Sequence, residues 1–105
     1  MPKYIELEKV GTVIREEFFE PHGLSIDDVA KATTIPAGDL AAVIYGDKEV
    51  NAEIDLLLAK YFDMSEGYFL RMQVSYNTDL AKRSLRGRLK NIISIFDQTP
   101  KAAVF

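Results

Sequence analysis

The chain has no cysteine, which excludes disulfides, thiolate zinc sites and a cysteine nucleophile. It has a single histidine, His22, beside Pro21 and near Glu16, Glu17 and Glu20. A metal site there would need a second strong ligand held rigidly, and this stretch reads as a solvated acidic helix end followed by a turn. No metal is expected. The six glycines (Gly11, Gly23, Gly38, Gly46, Gly67 and Gly87) are scattered and form no phosphate-cradling loop. The serines have no base beyond the one distant histidine, and Asp27 and Asp28, adjacent on a helix, point apart. No enzyme and no cofactor are expected. No apolar run approaches the roughly 18–20 residues that span a bilayer. "MPKYIELEKVG" puts charges where a signal peptide needs an apolar stretch. A cytoplasmic location is the expectation.

What is present suits one soluble domain: 105 residues, 48% hydrophobic and 28% charged, enough chain for one modest core. The net charge of −3 conceals a segregation. Residues 1–80 hold seven basic and fifteen acidic side chains, whereas residues 81–105 hold six bases and only Asp97. The two parts therefore carry −8 and +5, which suggests two surfaces with different partners.

No strand-type alternation persists, and the spacing predicts helices throughout. Val10, Val13, Ile14 and Phe18 mark a first helix over about residues 5–20. It stops at "EPHG". Ser25 N-caps a second helix, with Asp28 completing a short capping box. Pro36 opens a third helix and Gly46 closes it. Asn51 caps a fourth and Ser65 a fifth. Tyr68, Phe69, Met72 and Tyr76 recur at helical spacing and are expected to pack on the core, Tyr68 and Tyr76 nearer its rim.

Beyond these, "LAKRSLRGRLKNIISIF" reads as an amphipathic helix. Leu85, Leu89, Ile92 and Phe96 fall on one stripe, with Lys82, Arg83, Arg86 and Lys90 beside it. Such a face either covers the protein's own core or serves as a dimer seam or partner-docking surface. The expected division is a helix-turn-helix domain over 1–77, a basic amphipathic extension over 78–97 and a flexible tail over 98–105.

The stretch from "EEFFEPHGLSIDDVAKATTIPAGDLAAVIYGDKEV" to "FLRMQ" resembles the HigA/VapI antitoxins, a branch of the Cro/λ-repressor-like (XRE) helix-turn-helix family. Matching positions include Glu20, Pro21, Gly23, Leu24, Ser25, Val29, Ala30, Ile35, Leu40, Val43, Ile44, Gly46, Val50, Leu57, Ala59, Phe62, Ser65 and Phe69. They span about residues 8–76 and leave the basic segment outside. The resemblance implies an all-α fold, a five-helix Cro/λ-repressor-like DNA-binding domain, here followed by the C-terminal amphipathic helix. It also implies a dimeric autorepressor on a palindromic operator that neutralises a small basic ribonuclease toxin. An acidic body complements such a partner.

In the family the third helix enters the major groove. Carried over, the base-facing positions are Pro36, Ala37, Gly38, Ala41, Ala42 and Tyr45, with Lys31 and Lys48 for phosphates. Relatives commonly place Arg, Ser or Gln at several of these. This set offers methyl groups and a phenol but no bidentate base contact. Lys48 lies between Asp47 and Glu49, and Thr34 stands where relatives usually have glycine. A β-branched residue disfavours φ > 0, so a different turn is expected. The alternative is a repurposed fold, a protein–protein interaction module without sequence-specific DNA binding. Its contacts would come from the acidic body and from Lys82, Arg83, Leu85, Arg86, Leu89, Ile92 and Phe96.

Overall fold

A computed structural model describes residues 8–98, all helix and connection. Helix α1 (Val10–Ile14) runs into one π-helical segment (Arg15–Phe19) and a 3₁₀ turn (Glu20–His22). Then follow α2 (Ile26–Thr33), α3 (Ala37–Tyr45), α4 (Ala52–Phe62), α5 (Tyr68–Ser84), α6 (Arg86–Lys90) and α7 (Ile95–Gln98). The first part of the expected first helix, residues 5–7, lies outside the described residues, as does the expected tail beyond Gln98.

The local stop and start signals act as their chemistry demands. Gly23 and Gly46 end their helices in the left-handed region, at φ 66° and 89°. The Ser25 hydroxyl accepts from Asp28 N–H and the Asp28 carboxylate accepts from Ser25 N–H, a complete capping box. The Asn51 side chain accepts from Ile54 N–H at 2.9 Å.

The core gathers Val10, Ile14, Phe19, Val29, Leu40, Val43, Leu58 and Phe69 between α1, α2, α3, α4 and the start of α5. Two details depart from the expected periodicity. The π-helical segment inserts an extra residue per turn, so two neighbouring rings, Phe18 and Phe19, both reach the core. Phe18 meets Phe62, Tyr68 and Phe69 edge to face, and Phe19 is the ring that is buried outright. At the other end of this helix Gly11 lies against the last turn of α3. A Cβ there would stand 2.2 Å from the Ile44 carbonyl oxygen, so the two backbones touch where no side chain fits.

The start of α5 corrects the expected Ser65 cap. Asp55, 2% exposed on the inner face of α4, accepts from the N–H groups of Gly67, Phe69 and Leu70 at 2.7, 2.8 and 3.0 Å. One buried carboxylate thus satisfies three donors at a helix N-terminus, where the macrodipole also favours negative charge. Ser65 instead accepts from the Arg71 guanidinium.

The C-terminal segment also differs from expectation. Helix α5 passes unbroken through residue 78, and α6 and α7 follow as short separate helices. The stripe of Leu85, Leu89, Ile92 and Phe96 is therefore interrupted, and it does not cover the body. Leu85 is half-buried, Leu89 is exposed, and Ile92 and Phe96 are 69% and 63% exposed. The segment forms an arm that leaves the domain. The radius of gyration is 18.7 Å, against about 13 Å for a compact chain of this length.

Candidate nucleic-acid interface

Helices α2 and α3 with the turn between them form a helix-turn-helix unit. Its angle is fixed from beneath by Val29, Ala30, Ile35, Leu40 and Val43, all buried. Thr34 corrects the expectation of a different turn, because it adopts φ 65° and ψ 9° despite its branched side chain. The turn conformation is kept at a cost of about 1–2 kcal/mol. Local bonds hold it: Thr33 Oγ1 donates to Val29 C=O at 2.7 Å and accepts from Ile35 N–H, while Thr34 Oγ1 donates to Thr33 C=O.

The outer face of α3 is smooth. Pro36, Ala37 and Gly38 are exposed, Ala41 and Ala42 are half-buried, and Tyr45 stands 67% exposed at the C-terminal end. A Cβ added at Gly38 would meet open space.

Both expected phosphate contacts flank it. Lys31, exposed on the last turn of α2, borders a shallow depression with Asp27, Ala30, Ile35 and Ala37. Lys48 lies on the far side, its Nζ 3.7 Å from Asp39 Oδ1 in the first turn of α3. Both groups of that pair are substantially exposed, so it contributes little to stability. It does, however, offset part of the charge that Lys48 could offer a phosphate. Around the unit stand Asp27, Asp28, Asp39, Asp47, Glu49 and Glu53, six acids against two lysines. The Ser25 backbone N–H, then the Ser25 hydroxyl, hold the Asp28 carboxyl below its ordinary value of 3.8, with a smaller push from Lys31. That acid is ionised at neutral pH.

Behind α3 the loop that carries Lys48 is tied to α5. Gln73 Oε1 accepts from Val50 N–H at 2.9 Å, Gln73 Nε2 donates to Asn77 Oδ1, and Asn77 Nδ2 donates to Glu49 Oε1. Lys9, absent from the expected set, lines a cleft with Lys48, Glu49, Asn77 and Leu80. No sequence spacing links Lys9 to Lys48; only the crossing of α1 and α3 brings them together. His22 is exposed at the end of the 3₁₀ turn. Among the described residues no group of three or more His, Asp or Glu is placed to hold a metal ion, and no helix is long and apolar enough to cross a membrane.

No model of a known protein family matches the chain. Over 73 residues it is 29% identical to virulence-associated protein I of Dichelobacter nodosus, a match covering 70% of this chain and 68% of the relative. Over 64 residues it is 30% identical to an uncharacterized HTH-type transcriptional regulator of Haemophilus influenzae, covering 61% of this chain and 60% of that protein. The fold matches that of the Pseudomonas aeruginosa antitoxin HigA, solved with the higBA promoter. The TM-score is 0.76 at 20% identity, over 86% of this chain and 98% of HigA. A HigA-family addiction module antidote protein from Coxiella burnetii gives the same TM-score at 22% identity, over 86% of this chain and 98% of the other. In sequence the chain is similar to virulence-associated protein I and to an HTH-type transcriptional regulator, and its fold is that of the HigA antitoxins.

Proposed function

We propose that the chain is a DNA-binding transcriptional regulator of the antitoxin type, which as a homodimer represses its own promoter through a palindromic site. The observation that carries this reading is the reading unit itself. Its turn keeps the left-handed conformation at Thr34 against the preference of a branched residue, and α3 stays exposed along Pro36, Ala37, Gly38 and Tyr45, with Ala41 and Ala42 half-buried between them. Such a surface lets the helix backbone come close to base edges. Alanine methyls suit thymine methyls, and the Tyr45 phenol suits a phosphate. The HigA with the same fold was solved with its promoter, which supports the same use here. Lys31 and Lys48 would fix the register on the backbone.

The acidic body supports the second half of the reading, neutralisation of a basic toxin, because opposite charge speeds encounter and favours the correct partner. A second copy would meet the arm at Leu85, Leu89, Ile92 and Phe96. The test uses the duplex immediately upstream of the chain's own coding sequence. Lys31→Glu combined with Lys48→Glu should weaken binding by at least about tenfold at low salt. Unchanged affinity would reject these two residues as backbone contacts.

One observation favours a second reading, a protein-interaction module that no longer reads DNA. The acids around the unit outnumber its lysines, and Lys48 is paired with Asp39. Under that reading the upstream duplex is not bound at any salt concentration, and co-expression with the adjacent reading frame yields a stable complex.

A further inference from the structure

We infer that the arm is a phosphate-binding element: its bases supply the cationic charge that the helix-turn-helix face lacks, and they grip the duplex beside the site that α3 reads. This rests on the DNA-binding reading above and adds a second contact surface to it.

Four observations carry it. First, a phosphate backbone binds where cations are grouped, and counterion release from those groups supplies much of the affinity. The reading unit is acidic on balance and cannot supply that term alone. Second, Lys82, Arg83, Arg86, Arg88 and Lys90 are all exposed, and no acid interrupts the chain between Asp79 and Asp97. Five bases within nine residues, on helices that project from the body, form the highest density of positive charge in the sequence.

Third, the arm begins at the edge of the reading unit. Asn77 of α5 donates to Glu49 at 3.2 Å, in the loop that carries Lys48. Lys82 follows five residues later, about 8 Å further along the helix axis at ~1.5 Å per residue. Fourth, Lys9 and Lys48 share the cleft beside Glu49, Asn77 and Leu80, so two cationic groups and one acid stand at the root of the arm. From there the bases leave along α5 and α6. A duplex lying against α3 would pass this root, and the next stretch of backbone would come within reach of the arm. Phosphate contacts carry no sequence information, so the arm would raise affinity for every duplex without changing which is preferred.

The test compares the full chain with a variant carrying Lys82→Gln, Arg83→Gln, Arg88→Gln and Lys90→Gln. All four residues are exposed and none belongs to the core, so the variant should fold; circular dichroism checks this. Binding is titrated against salt on the best duplex selected from genomic fragments and on a random-sequence duplex of equal length, with sedimentation to read the oligomeric state. The expected result is an affinity loss of at least about tenfold on both duplexes, with the log–log salt slope falling by about 0.9 for each phosphate no longer neutralised. The preference between the duplexes should stay the same.

An unchanged slope on a selected duplex would overturn the inference while the repressor reading stands. Arm-dependent binding with no selected duplex would leave the inference standing and overturn sequence-specific repression. No binding to either duplex by the unaltered chain would overturn both. A change in oligomeric state with an unchanged slope would assign the bases to the contact between copies, and the inference would fail.

Discussion

At the residue scale, two side chains do unusual things. Thr34 occupies a left-handed position that a branched residue adopts at a cost. Thr34→Gly should therefore raise stability in urea unfolding by about 0.5–1 kcal/mol, because relief of that strain exceeds the added freedom of glycine in the unfolded chain. A loss of stability would mean that the Thr34 hydroxyl bond to Thr33 outweighs the strain. Asp55 presents the reverse case, a buried charge that is fully engaged. Asp55→Ala should cost about 3 kcal/mol, since three N–H groups would lose their acceptor at once. Asn retains one oxygen and should recover part of the loss. Equal destabilisation by both substitutions would show that the negative charge, not the acceptor, matters there.

At the scale of elements, the capping box at α2 makes a pH-dependent contribution with a defined sign. The folded chain holds the Asp28 carboxyl below 3.8, chiefly through the Ser25 backbone N–H and then the Ser25 hydroxyl. A depressed carboxylate stabilises the fold above its unfolded value, and that contribution disappears as pH falls through the folded value. An NMR titration of Asp28 should have its midpoint below 3.8, and Ser25→Ala should move it part of the way up, because the backbone bond survives. A midpoint unmoved by Ser25→Ala would show that the hydroxyl does not act on the carboxyl.

This element was legible in the sequence, as were the Asn51 cap and the glycine stops at Gly23 and Gly46. Each acts within three or four residues. The Asp55 cap was not legible, since it joins α4 to groups twelve to fifteen residues away. Nor was the close crossing at Gly11, which depends on the carbonyls of Ile44 and Val43 across the fold. The π-helical segment escaped for a related reason: the spacing of Val10, Val13, Ile14 and Phe18 fits an ordinary helix, and only the packing of Phe19 reveals the inserted residue. The base-facing positions on α3 were carried over from the family resemblance, whereas the proximity of Lys9 and the pairing of Lys48 with Asp39 are tertiary facts.

At the scale of the whole molecule, the chain divides its charge and its apolar surface between an acidic body and a basic, exposed arm. Every buried residue among those described lies at or before Gln73. Truncation after Asn77 should therefore change folding stability by less than about 1 kcal/mol. The same truncation should weaken DNA binding and remove dimerisation, as the arm holds the exposed apolar groups Leu89, Ile92, Ile93, Ile95 and Phe96. A truncated chain that still dimerised in sedimentation would place the contact between copies on the body instead. On the proposed division of labour, with α3 as the reading head and the arm as the source of charge, neither part alone should reproduce the affinity of the whole.

The most direct measurement is selection of short genomic duplexes by the purified full chain at low salt, followed by a salt titration of the best binder. A repressor built this way should enrich one palindromic site, with half-sites about one helical turn apart and an affinity that falls steeply as salt rises. A well-folded sample that enriches no duplex would contradict that role, and would leave the helix-turn-helix unit as a scaffold for protein contacts.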